Sequence, residues 1–366
     1  MQDLLSQKPI NMKVIGIGGA GNNAINLIIS EKENWNDVEL FVANTDSQDL
    51  AKSACNNKIF LGSSTRGLGA GNDPNIGAQC ANESLSEIQK VVANTDIVVI
   101  ATGLGGGTGT GASPIIAKAA KDAGALTIAI VTTPFKLEGK NKSLIANKGL
   151  DLLKKNVDAF IVLSNQKLIS LYNKLPIIDA FRVANITLKQ SIKAIHDTIF
   201  KTGYINVDFN DLRRILLNGK ESIISIGTAH GKERSKKAIQ EAFSAPLFEK
   251  EIKGAGKMIV LFQCDKHTNL EEIESASDMI DELIYLDADN IEKIIGFQLL
   301  EDQEDFFQVN IIASNIKNEA PFSKNNDTIE QKIHNLANNT INNFKNQTNN
   351  NIDEETKDSI PNFFKN

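Results

Sequence analysis

Ile97-Val98-Val99-Ile100-Ala101-Thr102-Gly103-Leu104-Gly105-Gly106-Gly107-Thr108-Gly109-Thr110-Gly111 decides how this chain folds. A short apolar, β-branched run enters a loop in which six of nine residues are glycine, and a helical pattern leaves it at Thr110. Ordinary turns do not require so much glycine, which costs conformational entropy; what glycine permits is close approach of the backbone to a ligand. With the hydroxyls of Thr108 and Thr110 interleaved, the loop reads as a phosphate cradle built of backbone N–H groups. No lysine follows in the G-x-x-x-x-G-K-[ST] spacing, so this is not a P-loop. Neutralisation then falls to amides, a helix dipole and Mg²⁺.

Upstream, Gly16-Ile17-Gly18-Gly19-Ala20-Gly21 matches G-x-G-x-x-G between a strand and a helix. Alone that pattern is weak, since a tight turn without ligand is a common alternative. Two phosphate loops favour a nucleoside triphosphate over NAD. A nicotinamide enzyme stays open as a rival: Asp46 could hold a ribose, but no hydride-transfer site is evident. A third loop, Thr65–Pro74, precedes another helix and could close over the same phosphates.

The surrounding pattern is of the α/β class. Strands are expected at Lys13–Ile17, Glu39–Asn44, Ile97–Ala101, Leu126–Thr132 and Ala159–Leu163, with helices over Ala24–Ser30, Gly77–Ala93, Thr110–Ala123 and Lys142–Asn156. Strands apolar on both sides and separated by helices call for a Rossmann-like parallel sheet. A long helix is expected over Ile177–Phe200, started by Pro176 and stopped before Gly203. Ile178, Phe181, Ala184, Leu188, Ile192, Ile195 and Ile199 make its apolar stripe. Beyond it an α+β domain follows, with strands near Ser222–Thr228, Met258–Cys264, Ile291–Leu300 and Phe307–Ala313, and helices near Glu233–Ala242 and Leu270–Ile284. After Asn315 the chain turns Asn-rich and polar, as in a disordered linker.

Composition narrows the function. The 366 residues are 41% hydrophobic and 23% charged, enough for a core and about two domains. A net charge of -6 argues against a basic nucleic-acid face. Three scattered cysteines and four scattered histidines form no disulfide framework or metal spacing, so a cytosolic protein is expected. No apolar run approaches the roughly 20 residues that span a bilayer, and no signal peptide precedes the first strand.

Gly105–Gly111 is the signature of the tubulin/FtsZ GTPases, and its form with Thr110 resembles the bacterial FtsZ branch. Asn44-Thr45-Asp46, Thr65–Gly71, Thr133-Pro134-Phe135 with Glu138-Gly139, and Asn206-Val207-Asp208-Phe209-Asn210-Asp211 fall in the family's order and spacing. The end, Ile360-Pro361-Asn362-Phe363-Phe364-Lys365, resembles the family's adaptor-docking tail. The resemblance implies an N-terminal extension (1–11), a GTP-binding Rossmann-like domain (12–175), a central helix (176–202) and a GTPase-activating α+β domain (203–314). An Asn-rich disordered linker (315–351) and a docking peptide (352–366) follow.

It also implies GTP and GDP as ligands, with Mg²⁺ but no metal site built by the protein. Gly19, Ala20, Gly21, Ala70, Gly71, Gly105, Gly106, Gly107, Thr108 and Gly109 would hold the phosphates, with Gly18, Asn44, Gly103 and Thr132 in the same site. Phe181 would stack on guanine and Asn185 bond its edge, although by pattern alone Phe181 reads as core. Asn23, Glu138, Lys142 and Asn165 would complete base and ribose contacts. Asp208 and Asp211, with Asn206, would complete the next subunit's pocket and orient the attacking water, although by pattern alone the two aspartates read as a helix cap. The family implies head-to-tail homopolymers that form the cytokinetic ring and recruit division proteins. It implies a cytoplasmic protein at midcell, held by a membrane-tethering adaptor such as FtsA through 359–366, with no nucleic acid bound and no direct membrane insertion. A scaffold that polymerises without hydrolysis is a second rival, against which the presence of both aspartates speaks. Departures from the family are Lys142 for Arg, Gln166 and Ile186 for aspartates, Asn22 for Gly, and Phe364-Lys365 for Leu-Arg.

Overall fold

The computed structural model describes residues 9–30, 35–171, 176–244, 248, 250–284 and 291–316. Residues 1–8 of the expected extension (1–11), the expected linker (315–351) from 317 onward and the docking peptide lie outside the described residues. The first sheet holds β1 (Met12–Ile17), β2 (Val38–Asn44), β3 (Asn57–Phe60), β4 (Ile97–Gly103), β5 (Leu126–Thr133), β6 (Ala159–Ser164) and a two-residue β7 (Lys220–Glu221). Their order is β3-β2-β1-β4-β5-β6-β7, and each neighbouring pair is parallel. Helices α1 (Gly18–Ser30), α2 (Ser47–Lys52), α3 (Pro74–Glu83), α4 (Leu85–Val92), α5 (Thr108–Asp122), α6 (Lys140–Leu153) and α7 (Asn165–Leu171) connect the strands.

The two-residue period of the strands sorts their side chains onto two cores. Val14, Val99 and Ile128 lie in one core with Ile25 and Ile28 of α1. Ile15, Val98, Ile100 and Ala129 face the opposite way, onto Ile88 of α4 and Ile116 of α5. The first core does not end at the sheet. It continues through Leu188, Ile192 and Ile195 of α8 (Ile177–Phe200) to Ile224, Val260 and Ile311 of a second sheet. That sheet contains β8 (Ile223–His230), β9 (Lys257–Cys264), β10 (Glu292–Leu299) and β11 (Phe306–Ser314), in the order β10-β9-β11-β8. It is mixed: β10 runs parallel to β9, while β11 runs antiparallel to β9 and β8. Helix α9 (Phe209–Leu216) follows α8, and α10 (Arg234–Ser244) and α11 (Leu270–Leu283) lie among the later strands.

Several elements differ from the sequence-based expectation. The single helix expected over Gly77–Ala93 is two, broken at Ser84. The Ser84 hydroxyl there accepts from the Gly62 N–H (2.9 Å) and donates to the Phe60 carbonyl (3.1 Å), so it serves the end of β3. β3 itself was not anticipated, because only Ile59 of its four residues is buried. The apolar stripe of α8 is also shorter than its pattern: Ile178 is 72% and Phe181 41% exposed. The first turns of α8 pass beyond the core, and Phe181 packs edge-on against Phe135, with ring centroids 5.0 Å apart.

One half-buried carboxyl sets a pH dependence. Glu241 on α10 is pushed up to about 7 by burial, although it accepts the Thr228 N–H at 2.8 Å. A carboxyl whose folded pKa is raised contributes its full stability below the unfolded value of 4.5 and loses it as the pH climbs through the folded one. The loss falls between about pH 4.5 and pH 7. The substitution Glu241→Gln keeps an acceptor oxygen for Thr228 and removes the charge. Its stability advantage over the parent should therefore grow by on the order of 2 kcal/mol from pH 5 to pH 8, read by urea denaturation. Parallel pH curves for the two proteins would refute it.

Candidate functional site

In an open parallel sheet a ligand crevice opens at the carboxyl ends of the strands, where the strand order reverses. Here that point lies between β1 and β4, since β2 and β3 extend to one side of β1 and β5 and β6 to the other side of β4. The two glycine loops flank it: Gly18 follows β1, and Gly103 ends β4. They touch each other. A Cβ on Gly18 would stand 3.1 Å from the Gly109 nitrogen. A Cβ on Gly109 would stand 2.5 Å from the Gly103 carbonyl oxygen and 2.6 Å from Thr102 Oγ1, so only glycine lets α5 begin this close to β4. Neither Gly19 nor Gly71 has any atom within 4 Å of a Cβ position, so both border open space. α5 carries no side-chain cap at Gly107, which leaves its first N–H groups for an anion at the positive end of the helix dipole.

The third loop packs directly on the second. A Cβ on Gly107 would lie 2.8 Å from Ala70 Cβ and 2.9 Å from the Asp73 nitrogen. Ser47 N–H donates to the Gly67 carbonyl (3.0 Å) and Gly69 N–H to the Thr45 carbonyl (3.2 Å), which tie that loop to the end of β2. The Thr45 and Thr108 hydroxyls pair at 2.6 Å. Thr45 had only been part of a motif, and its hydroxyl is the link between two loops. Thr110, expected in the cradle, is buried and accepts the Gly105 N–H at 2.8 Å. It braces the loop from inside, because α5 begins at Thr108 and this puts Thr110 in the helix's first turn. Asn22 is buried as well; its amide, oriented by its hydrogen-bond network, donates to Gly16 (3.0 Å) and Gly18 (3.1 Å) and accepts from Asn44 Nδ2 (3.1 Å). The residue that departs from the family's glycine thus locks the first loop to β2. Asp46, the possible ribose ligand of the nicotinamide rival, spends its carboxylate on the N–H groups of Gln48 (2.8 Å) and Asp49 (3.2 Å) at the start of α2.

On the β5 side the same crevice is continued by other residues. A Cβ on Gly103 would stand 3.3 Å from Thr132 Oγ1, and one on Gly105 3.0 Å from the Lys142 carbonyl. Glu138 accepts from the Phe135 N–H (2.9 Å) and from Lys142 Nζ (3.0 Å), while Gln166 accepts the Lys136 N–H at 3.0 Å. Lys142 is thereby held by a carboxylate, and Gln166 fixes the turn after Phe135. Asn165 is buried at the start of α7, Asn185 half-buried on α8, and Asn23 exposed on α1. Phe181 has its exposed ring beside Phe135, a position open to a planar ligand.

The acidic pair stands elsewhere. Asp208 and Asp211 cap α9 reciprocally: Asp211 N–H donates to Asp208 Oδ1 (2.9 Å), and Asp208 N–H to Asp211 Oδ2 (3.3 Å). Asn206 accepts the Gly203 N–H at 2.7 Å, and both Asn206 and Asp208 are exposed. This segment follows the C-terminal end of α8, whereas Phe181 and Asn185 sit near its start. At about 1.5 Å per residue, Phe200 lies about 30 Å along the helix from Phe181, and it borders Met12 and Val38 at the amino ends of β1 and β2, opposite the carboxyl ends where the crevice opens. One chain therefore presents a phosphate cradle and an acidic pair that do not meet.

Two family models match this chain: the tubulin/FtsZ family GTPase domain over residues 11–173 and the FtsZ family C-terminal domain over 220–317. The chain belongs to the tubulin/FtsZ family. It is 40% identical over 324 residues to the cell division protein FtsZ of Mycoplasmopsis pulmonis, covering 88% of this chain and 82% of that one. FtsZ 1 of Thermococcus kodakarensis is 39% identical over 325 residues, 88% of this chain and 85% of its own. Among solved structures, an empty FtsZ dimer of M. jannaschii aligns with a TM-score of 0.79 at 33% identity, over 88% of this chain and 96% of that one. GDP-bound CetZ1 of Haloferax volcanii, at 21% identity and a TM-score of 0.72 over 85% of this chain and 96% of its own, shares the fold. As an FtsZ-family protein the chain is a polymerising, guanine-nucleotide-binding GTPase of cell division. Among the described residues no helix is long and apolar enough to cross a membrane.

The crowded glycine contacts predict a selective defect. Gly109→Ala should weaken GTP binding more than tenfold, because its methyl must displace the Gly103 carbonyl, while the circular dichroism spectrum stays that of the parent. Fluorescent-nucleotide titration measures this, and parent-like affinity would contradict the packing described.

Proposed function

We propose that this GTPase is completed only by assembly, with GTP bound in the glycine crevice of one subunit and hydrolysed against the acidic segment of the next. The observation that carries this reading is the course of α8, which runs from Phe181, on Phe135 just beyond the carboxyl end of β5, to Phe200 beside the amino ends of β1 and β2, about 30 Å along the helix. In the bound state the N–H groups of Gly18, Gly19, Ala20, Gly21, Gly105, Gly106, Gly107, Thr108 and Gly109, with Ala70 and Gly71, hold the phosphates. Asn44, Gly103 and Thr132 shape that pocket. Phe181 stacks on guanine, Asn185 bonds its edge, and Asn23, Glu138, Lys142 and Asn165 complete the base and ribose contacts. Asp208 and Asp211, with Asn206, orient the water that attacks the γ-phosphate across the junction. Phosphoryl transfer demands mainly position and charge stabilisation, so carboxylates fixed in a reciprocal cap suit the task. Helix capping and catalysis are compatible roles, since each cap bond uses one oxygen of its carboxylate, Oδ1 of Asp208 and Oδ2 of Asp211.

Mg²⁺ fits as an ion carried by the triphosphate and water: it takes hard oxygen ligands and needs few from protein. Thr45 and Thr108 offer such oxygens beside the cradle. When bound, the ion would supply charge neutralisation to the triphosphate. The domain division follows the chemistry: 12–175 binds nucleotide, 176–202 spans, and 203–314 activates. A contact between unlike faces does not close on itself, so head-to-tail filaments follow. The structural relative that is an FtsZ dimer supports self-association. The filaments would form the division ring at midcell beneath the membrane, with 359–366 docking on an adaptor such as FtsA.

Two variants test the shared centre. Asp211→Ala should bind GTP like the parent yet hydrolyse it at least a hundredfold more slowly, and Gly109→Ala should bind it poorly. Mixed together, the first supplies sound cradles and the second sound acidic segments, so phosphate release should reappear in the mixture. A mixture as inactive as its parts, or a parent rate per subunit unaffected by dilution, would defeat the proposal.

A further inference from the structure

The second sheet carries a buried row of amides that the nucleotide chemistry above does not use. Gln298 on β10 stands opposite Gln263 on β9, Gln263 opposite Gln308 on β11, and Gln308 opposite Thr228 on β8. The four side chains bond in sequence across the whole sheet. Thr228 Oγ1 donates to Gln308 Oε1 (3.2 Å), Gln308 Nε2 to Gln263 Oε1 (2.6 Å), and Gln263 Nε2 to Gln298 Oε1 (2.7 Å). Asn310 joins from β11, donating to Gln263 Oε1 at 3.1 Å and accepting from Gln308 Nε2 at 2.9 Å. Gln263, Gln298 and Asn310 are 2%, 3% and 2% exposed. Buried amides are costly unless every group is bonded, so such a row fixes one arrangement.

The row ends on α8. Gln298 Nε2 donates to the carbonyls of Lys201 (2.8 Å) and Asp197 (3.1 Å) at the end of α8, the Asp197 oxygen also accepting the Lys201 N–H at 3.3 Å. Because Oε1 of Gln298 is occupied by Gln263, its Nε2 has a single direction to point. The neighbouring Phe297 holds the chain that follows: Phe297 N–H donates to the Ile205 carbonyl (2.9 Å) and Ile205 N–H to the Phe297 carbonyl (3.3 Å). Gly203 lies so close over Phe297 that a side chain would strike its carbonyl oxygen. Asn206 and the capped pair Asp208 and Asp211 come directly after this clasp.

We propose that Gln298 is a positioning residue for GTP hydrolysis, its amide clamping the last turn of α8 so that Asn206, Asp208 and Asp211 leave the helix at one fixed angle. The proposal rests on the composite site above, and it assigns the angle to the amide row rather than to apolar packing. Asp208 and Asp211 have to meet a phosphate on another subunit, and misplacement by an ångström is enough to lose most of the rate.

The test compares Gln298→Met, which keeps length and volume without the hydrogen bonds, with Gln308→Met at the far end of the row. Asp211→Asn is measured beside them. For each full-length protein, GTP affinity is measured by titration, thermal stability by melting, and kcat as phosphate release per sedimented subunit in saturating GTP. Gln298→Met is expected to lower kcat about tenfold or more with GTP affinity unchanged within about twofold. Gln308→Met is expected to stay near the parent, because Asn310 still bonds Gln263 Oε1. A parent-like kcat for Gln298→Met overturns the proposal. So does a loss that merely tracks melting temperature, equal in the two Met variants. If Gln298→Met does not fold, Gln263→Met replaces it: releasing the amide of Gln298 without removing it should lower kcat, and an unchanged kcat overturns the proposal. Full activity of Asp211→Asn would instead defeat the composite site itself, whatever Gln298 does.

Discussion

Everything in this molecule is arranged around the packing of α8 between two sheets. From Val183 to Thr198 the helix is largely buried, and its Leu188, Ile192, Ala194 and Ile195 belong to the same core as both sheets. Burying Leu188, Ile192 and Ile195 contributes on the order of 2 kcal/mol each relative to exposure. That makes the helix a strut of fixed length rather than a linker. It carries the chain from the carboxyl ends of the first sheet's strands, where Phe181 meets Phe135, to their amino ends, where Phe200 borders Met12 and Val38, and the acidic segment follows from there. The separation is a consequence of core packing, and assembly is the way to use it.

At the other end, what makes the crevice is contact between loops. Gly103, Gly107 and Gly109 place backbone where any side chain would collide, and Thr45, Thr108, Thr110 and Asn22 then bond the loops to one another. Two kinds of glycine coexist there. Some are glycine because neighbouring protein fills the space; Gly19 and Gly71 border space that no protein atom occupies. Only the second kind leaves room for a ligand, and the sequence does not distinguish them. The second sheet solves a different problem. Glutamines on β10, β9 and β11, joined by the Thr228 hydroxyl on β8, form a row across all four strands that ends on backbone carbonyls of α8. Apolar contacts hold surfaces together with little regard for angle, whereas hydrogen bonds to two carbonyls specify one.

Much of this was legible from residue order alone. The parallel sheet followed from short β-branched runs separated by helices, the crevice from two glycine loops after β1 and β4, and α8 from one long stripe of apolar residues. Those signals are local, or repeat with the period of the element that carries them, and this is why a linear sequence can display them. Among the elements that escaped, β3 and the break at Ser84 have almost no local signal. Ile59 is the lone buried residue of β3, and Ser84 breaks a helix because of a carbonyl and an N–H that lie more than twenty positions earlier.

What tertiary structure alone decided is which of the named residues meet. Phe181 and Ile178 belong by spacing to the buried stripe of α8, and lie outside it because the helix is longer than the core it crosses. Thr110 looked like a cradle hydroxyl and faces inward, while Thr45 and Asn22 turned out to be the links between loops. The aspartates of α9 read as a helix cap, and a cap is what they form. Which residues a chain contains, and with what period, is written along it. Which of them share a few ångströms depends on how strands order, how helices cross and where a core ends, and these are set by contacts between segments far apart in the sequence.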